Sequence, residues 1–547
     1  MKRLAGFFLV ATFMCGVAQS AKAQTFPARD WFHERLSHAS LLQRLPEPEG
    51  LRDFVVNGKL RLALLDAIKL ALANNTNVRM NQLQYESSRF AILSALSPFD
   101  PLFTSSFNAN RFTSPTSSTL AGALTLSNLN QTTQMGYAQT FQTGTNVGIN
   151  FNASKNSSNN SFNTFNPVLT EGLNFQLSQP LLRNRGLFVN RAPIVIARRN
   201  LAQSRANFEG QVNDSISSVI NAYWDVVQAR ENLDVLRKSL EAAQASYDHD
   251  KRSLELGALS PFDIYRSESQ VATRRVAVIQ AEYSLRQSED AFRLSVGADL
   301  DPYVRALDLE LIESTETSGE LLTMDAEQAY EKALQKRSEF EALRQQLAND
   351  DTSIRLAHNA LQPDLNLSGI YTSNGLSGNQ INTSATPPTV ISFGGLGDGL
   401  SQVFGFNFPG YGFALQLRLP IRSRAAEATY AANQINKQQD LYSLRSRQQA
   451  VQLDARNAVN LLEQAKLSIA AGKIARDLAR KNLEAEQRKY ELGSETIFFV
   501  LDAQTQLQQA ESIYVQSLIS YQRAVTAVQR ATGELLDRFR VQIKEPY

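Results

Sequence analysis

Between Val219 and Tyr247 the apolar and small residues fall at Val219, Ala222, Val226, Ala229, Leu233, Leu236, Leu240, Ala243 and Tyr247. The steps alternate between three and four. That is the 3.5-residue period of a helix that keeps one seam against a partner helix. Gln228, Arg230, Glu231, Asp234, Arg237, Lys238 and Glu241 fill most of the remaining surface. No proline follows Pro193 and Gly210 is the only interior glycine, so one helix is predicted from about Asn190 to Leu256. At 1.5 Å per residue it is about 100 Å long, several times a usual globular helix. Only neighbours of similar length can bury such a seam, so the pattern predicts a coiled-coil architecture.

The period changes elsewhere. Leu62 to Leu96 reads as a helix (Leu65, Ile68, Leu72) that stops at Pro98. Residues 99–181 are poor in charge and rich in Ser, Thr, Asn and Gly, and they alternate: Val147, Ile149 and Phe151 against Asn146, Gly148, Asn150 and Asn152, then Leu173, Phe175 and Leu177 against Asn174, Gln176 and Ser178. One apolar and one polar face suit a strand between lipid and a watery lumen; the same alternation also suits the edge of a soluble β-sandwich. Phe99, Phe103, Phe112, Tyr137 and Phe141 fit an interfacial girdle. Thr143-Gly144-Thr145 reads as a hairpin turn and Ser154 to Asn166 as a polar loop. After the long helix, Pro261 suits the first turn of a return helix from Phe262 to Val296. Residues 297–323 read as an acidic linker. A helix from Asp325 to Leu361 follows, ending at Pro363. Leu365, Leu367, Gly369 and Tyr371 alternate; residues 373–410 read as a loop; Phe413, Leu415, Leu417 and Leu419 alternate again. Ala425 to Leu492 is a second very long helix and Ile497 to Arg538 a second return helix.

The two halves match. Leu256-Gly257, Gln270 and Gly297 correspond to Leu492-Gly493, Gln506 and Gly533 at one common offset. Gln176 to Pro180 corresponds to Gln416 to Pro420, and Ala67, Ala71 and Leu72 to Ala329, Ala333 and Leu334. Several matches in one order indicate a tandem duplication. The expected layout is a signal peptide (1–23), an N-terminal extension (24–60) to which no function is assigned, a first repeat (61–300), a linker (301–323), a second repeat (324–540) and a short tail (541–547).

Within the 547 residues, Lys2 and Arg3, the apolar run Leu4–Val17 and Ala21-Lys22-Ala23 form a secretory signal with an A-x-A cleavage site. The chain's one cysteine, Cys15, lies inside it behind bulky Thr12-Phe13-Met14, which disfavours lipidation. Loss of the three cations Lys2, Arg3 and Lys22 takes the formal charge from +2 to −1, so no nucleic-acid partner is expected. Export without cysteine leaves packing and assembly as sources of stability. No stretch holds about 20 continuous apolar residues after the signal, so a membrane crossing requires a closed barrel. Each half offers at least two strands, about four per chain, whereas outer-membrane barrels begin at about eight. The strands must be pooled between copies. A further hairpin, Met135–Phe141 with Val147–Ala153, either joins the barrel or extends beyond it.

On these features the chain resembles the TolC-like outer membrane efflux proteins. The carriers are two copies of a helix-tip motif, Tyr247, Gly257, Ser260 and Asp263 in the first and Tyr490, Gly493, Thr496 and Asp502 in the second, with Gln179-Pro180-Leu181-Leu182 before the long helix. The resemblance spans about residues 60–540. It implies an α+β membrane fold: a homotrimer with a shared twelve-stranded β-barrel in the outer membrane and a periplasmic α-helical tunnel. It also implies docking to a periplasmic adaptor and to an inner-membrane transporter of RND, ABC or MFS type, in efflux or type I secretion. The family closes its tunnel with polar residues near the second tip. By position, Asp502 matches one family aspartate, Phe499 stands where a second would be, Glu495 stands where an arginine would be, and Asp263 holds the equivalent place in the first half. These four are the candidate gate, and a closing network that is partly apolar is expected. Asp263 alternatively serves as a helix start, and Asp502 as part of a solvated face. The Leu-Gly breaks, with Gly257, Ser260, Gly493 and Thr496, are the candidate hinge and docking positions.

Catalytic chemistry has no footing. The histidines are His33, His38, His249 and His358, with no metal-ligand spacing. HExxH, GxSxG and P-loop motifs are missing; Gly394 to Gly399 superficially suggests a phosphate loop but reads as an extracellular loop. No cofactor and no enzyme activity are expected. The alternative to a passive duct is a non-conducting coiled-coil scaffold or adhesin stalk, which would not need apolar and polar alternation at both β regions.

Overall fold

The computed structural model describes residues 48–116, 122–256, 260–315, 321–383 and 389–541. The signal and most of the N-terminal extension, Gly257 and nearly all of the tail lie outside the described residues.

Strands β1 (Val55–Val56) and β2 (Lys59–Leu62) lead into α1 (Leu64–Asn74) and α2 (Thr76–Leu96). The region read as one helix is two: Asn75 takes an extended backbone and its side-chain carbonyl accepts the N–H groups of Asn77 and Val78, capping α2. Four long strands follow, β3 (Leu102–Pro115), β4 (Thr125–Thr140), β5 (Asn146–Ser158) and β6 (Phe165–Pro180). Then come α3 (Leu187–Glu255), 69 residues long, and α4 (Pro261–Val296). Inside the segment read as a linker lie α5 (Pro302–Arg305) and β7 (Asp308–Leu311). The second half holds α6 (Ala326–Lys336), α7 (Ser338–Ala360), β8 (Asp364–Asn382), β9 (Thr389–Ser392), α8 (Leu396–Phe404), β10 (Pro409–Arg418), the 68-residue α9 (Arg424–Glu491), α10 (Ile497–Thr532) and α11 (Leu535–Arg538).

The large sheet runs β10-β8-β6-β5-β4-β3, antiparallel throughout, with short β9 beside β8. It has six long strands, the expected four or so with a further hairpin added. The further hairpin belongs to it: β4 and β5 pair from Asn128↔Ser158 to Thr140↔Asn146. Two loop expectations are corrected. Ser154 to Ser158 lies in β5, and residues 373–410 contain most of β8's outer half, β9 and α8. The first stretch is Ser- and Asn-rich and the second is Gly-rich as well, which hides strands whose side chains meet water or close-packed backbone instead of lipid.

The helices form two antiparallel hairpins, α3 with α4 and α9 with α10, as the seams predicted. None of the nine seam positions from Val219 to Tyr247 is exposed, and Val219, Val226, Leu233 and Ala243 are buried. Towards the sheet α4 and α10 end, and α2 and α7 take their places beside α3 and α9. Four helices thus stand side by side at both levels.

The exchange occurs at a belt where the main core sits. Tyr223, Phe292, Leu60, Leu62, Ile216 and Ile220 are fully or almost fully buried there, with Tyr223 edge-on to Phe292 at 5.9 Å. β2 pairs with β1 and, in parallel, with β7. The crossing between repeats is pinned at both ends. The Tyr223 hydroxyl accepts the Glu313 N–H at 3.1 Å, and the Tyr521 hydroxyl accepts the Leu322 N–H at 2.9 Å. Burial pushes the Tyr223 phenol up to about 12, so it stays a neutral hydroxyl.

The duplication is visible in the belt. α4 ends at Gly297 and α10 at Gly533, both left-handed with φ 72° and 76°. Gly297 packs on Asn74 at the end of α1, and Gly533 on Lys336 and Arg337 at the end of α6. A side chain on Gly297 would stand 2.7 Å from the Asn74 Cβ, so glycine is required for the turn and for the approach.

Candidate functional site

Two regions position function: the sheet and the far tips of the helix hairpins. Across the sheet, one row joins Phe103, Tyr137, Ile149, Phe175, Tyr371 and Tyr411 on adjacent strands. Residues paired directly opposite point the same way, so these side chains form one apolar band. The next row, Thr104, Gly136, Asn150, Asn174, Thr372 and Gly410, faces the other way. The sheet is apolar on one face and amide- and hydroxyl-lined on the other, as a wall between lipid and water requires. Among the described residues no helix is long and apolar enough to cross a membrane.

α8 covers part of the apolar face near the outer end. The Ser373 hydroxyl donates to the Val403 carbonyl at 2.7 Å, and Glu171, 3% exposed, lies beneath Gly399. The glycine run read as a flexible loop thus includes the first turn of a nine-residue helix. A Cβ on Gly375 would meet the Gly399 carbonyl, and one on Gly399 the Glu171 carboxylate, so both glycines permit the close approach.

At the other end, the tip residues separate. Ser260 caps α4, its hydroxyl accepting the Phe262 N–H at 3.3 Å. Asp263 sits in the first turn of α4, where a carboxylate favours the helix N-terminus. Gly493 follows α9 in the left-handed region, φ 72°, and its N–H meets the Tyr490 carbonyl at 2.9 Å. Thr496 precedes α10 without a side-chain cap. Asp502 is exposed and, among the described residues, accepts from Gln506 on its own helix at 2.7 Å. Phe499 is 45% exposed and stacks edge-on with Phe498 at 5.4 Å. Glu495 is half-buried in the turn. The four expected gate residues do not meet one another in the hydrogen bonds, ion pairs and ring contacts of the described residues. Gly257 lies outside them.

What the structure brings together is a different set. Asp250, completely buried near the end of α3, accepts the Ser267 hydroxyl of α4 at 2.5 Å and the Tyr490 hydroxyl of α9 at 2.9 Å. His249 lies 3.5 Å from the same carboxylate and edge-on to the Tyr490 ring at 5.9 Å. Burial, then the hydrogen bond to Asp250 and its charge, hold the Tyr490 phenol far above its ordinary range. Near the tip, further contacts tie the first hairpin to the second. Gln504 donates to Ser246 at 3.0 Å, Arg274 to Thr505 at 3.0 Å, and the Arg266 guanidinium lies 5.3 Å from the Phe498 ring centre. Arg274 also donates to Ser239; burial holds its guanidinium below the usual range. Sequence reasoning missed Asp250, although the signal was there. Continuing the seam past Ala243 and Tyr247 by the next step of three lands on Asp250, a carboxylate where an apolar residue is due.

Around this latch the tip is apolar. Leu256, Phe262 and Leu492 are each more than four-fifths exposed. No group of three or more His, Cys, Asp or Glu residues that could hold a metal occurs among the described residues.

The family model described as outer membrane efflux protein matches residues 146–298 and 329–534, one segment in each repeat. The chain is 24% identical to outer membrane protein TolC of Vibrio cholerae over 381 residues, which cover 68% of this chain and 78% of that protein. It is 23% identical to outer membrane efflux protein BepC of Brucella suis over 368 residues, 67% and 73% of the two chains. The solved CmeC outer membrane channel of Campylobacter jejuni superposes with a TM-score of 0.61 at 16% identity, over 89% of this chain and 88% of that one. With its two-faced sheet, its paired long helices and both repeats matched, the chain belongs to the outer membrane efflux protein family and is a non-enzymatic efflux channel of the outer membrane.

Proposed function

We propose that three copies of this chain form one passive exit duct, which takes its cargo from a periplasmic adaptor and an inner-membrane transporter. The observation that carries this reading is the pair of open edges. β3 is exposed along its whole length and β10 along nearly all of it, and unpaired backbone groups are very costly in a bilayer. The sheet must close on further copies. The helix hairpins, anchored below it, then form the tube. RND, ABC and MFS transporters are all compatible partners, and the cargo of an efflux or a type I secretion system would use the same hydrated bore.

The tips act as the gate. The Asp250–Tyr490 latch holds the two hairpins of one copy together, and opening swings them apart. Asp502, Phe499, Glu495 and Asp263 are free to meet residues of neighbouring copies, where they would form the closing ring. Gly257 and Gly493 act as hinges, and with Ser260, Thr496 and the exposed leucines they form the surface an adaptor grips. Planar-bilayer conductance of the purified protein tests the reading. Small closed-state conductance that rises in Asp502→Ala is expected; no conductance in either form would favour a scaffold.

A further inference from the structure

We propose that the β3–β4 hairpin is a permanent part of the membrane wall, so that the closed channel has eighteen long strands, six from each of three copies, rather than the twelve of a four-strand protomer. The proposal rests on the three-copy reading above.

Three observations support it. First, the family match begins at Asn146, the first residue of β5. The long strands inside the matched segments are therefore β5, β6, β8 and β10, and β3–β4 precedes them. The duplication agrees. The second repeat has only β8 and β10 as long strands between its helices, whereas the first has four. Second, the hairpin is integral to the ladder. β3 pairs with β4 from Leu102↔Ala138 to Pro115↔Thr125, and β4 with β5 from Thr140↔Asn146 to Asn128↔Ser158, with no register shift. Strands of 14 and 16 residues exceed the roughly 9–11 needed to cross a bilayer.

Third, the faces stay in phase. The apolar row reaches Tyr137 and Phe103, and the polar row reaches Gly136 and Thr104, at the same height as on the family strands. Phe103 and Phe107 on this face are each about two-thirds exposed. A hairpin outside the membrane has no need to continue both rows.

Closure then needs one new ladder per copy. β3 runs outward and β10 returns, so β3 of one copy meets β10 of the next antiparallel, as every other pair in the sheet does. Twelve-strand closure would instead seat the neighbour's β10 on β5, whose edge β4 already occupies.

Electron cryomicroscopy of the full assembly in lipid nanodiscs decides the count. A three-fold ring of eighteen strands is expected. A three-fold ring of twelve, with β3–β4 outside it, overturns the proposal and leaves the three-copy duct intact. A monomer overturns both. A second measurement needs no map. Gln134 and Asn152 are partners across β4 and β5, and the only native cysteine is Cys15. In Gln134→Cys/Asn152→Cys a disulfide within one chain is expected in the assembled protein in membranes. Two free thiols there, under oxidant, would overturn the proposal.

Discussion

Asp250 places a full carboxylate inside a helix seam, a costly position unless its lone pairs are used. Ser267 and Tyr490 use them, and so a residue that destabilises a lone helix fixes three helices together. Asp250→Ala strands two hydroxyls and is expected to cost about 1–3 kcal/mol at the tip. The measurement is single-channel conductance, with longer or larger openings than wild type. Unchanged gating would remove Asp250 from the latch. A second carboxylate, Asp350 of α7, is 8% exposed. Burial, and then Asp440, raise it to about 6 from an ordinary 3.8. The folded state therefore holds this proton more tightly than the unfolded chain. Stability from this group is lost as pH rises through about 6. Asp350→Asn removes that loss, about 3 kcal/mol at neutral pH. The gap between melting temperatures at pH 5 and pH 7.5 should narrow in the variant; an unaltered gap would refute the assignment. Asp250 shows in the sequence only as a carboxylate at the next seam position, and Asp350 does not stand out at all, because burial of a polar side chain depends on which helix lies opposite.

Among the elements, the long helices were the most legible. Their ends were placed within three residues, because the seam runs unbroken and glycine and proline mark the stops. Breaks enforced by tertiary contacts were not. α1 and α2 divide at Asn75, whose amide also donates to the Ser295 carbonyl of α4 at 2.8 Å; no glycine or proline marks the place. α10 was read through to Arg538 and instead stops at Gly533. A bulky residue at its counterpart, as in Gly297→Val, combines a left-handed backbone with a 2.7 Å clash against Asn74. It is expected to cost more than about 2 kcal/mol and to lower the melting temperature, whereas Gly186→Ala, with nothing within 4 Å of its Cβ, should cost less. Equal losses would mean that backbone strain alone matters. α8 was hidden for another reason. Nine residues rich in glycine carry little helical signal, and the groove that receives them is made by Gly375 and Ser373 of a distant strand.

The whole molecule faces three surroundings: lipid, a watery bore and the periplasm. Phe175→Arg puts a charge on the apolar face and is expected to cost about 2–4 kcal/mol if it lies near the bilayer midplane. Asn174→Ser, one residue away on the polar face, should be tolerated. The yield of folded protein in the outer membrane separates the two; equal yields would contradict the orientation of the sheet. By itself the sequence determined the periods, the duplication and the need for partners. Those depend on side-chain spacing along one strand or one seam, which the chain carries locally. It also marked both tips, since glycine and capping residues act within a few positions. Only the tertiary structure decided how many strands share a sheet, where the belt sits, and which carboxylate is enclosed at the tip. Polar strands and buried charges are defined by what lies across from them, and that partner stands tens or hundreds of residues away.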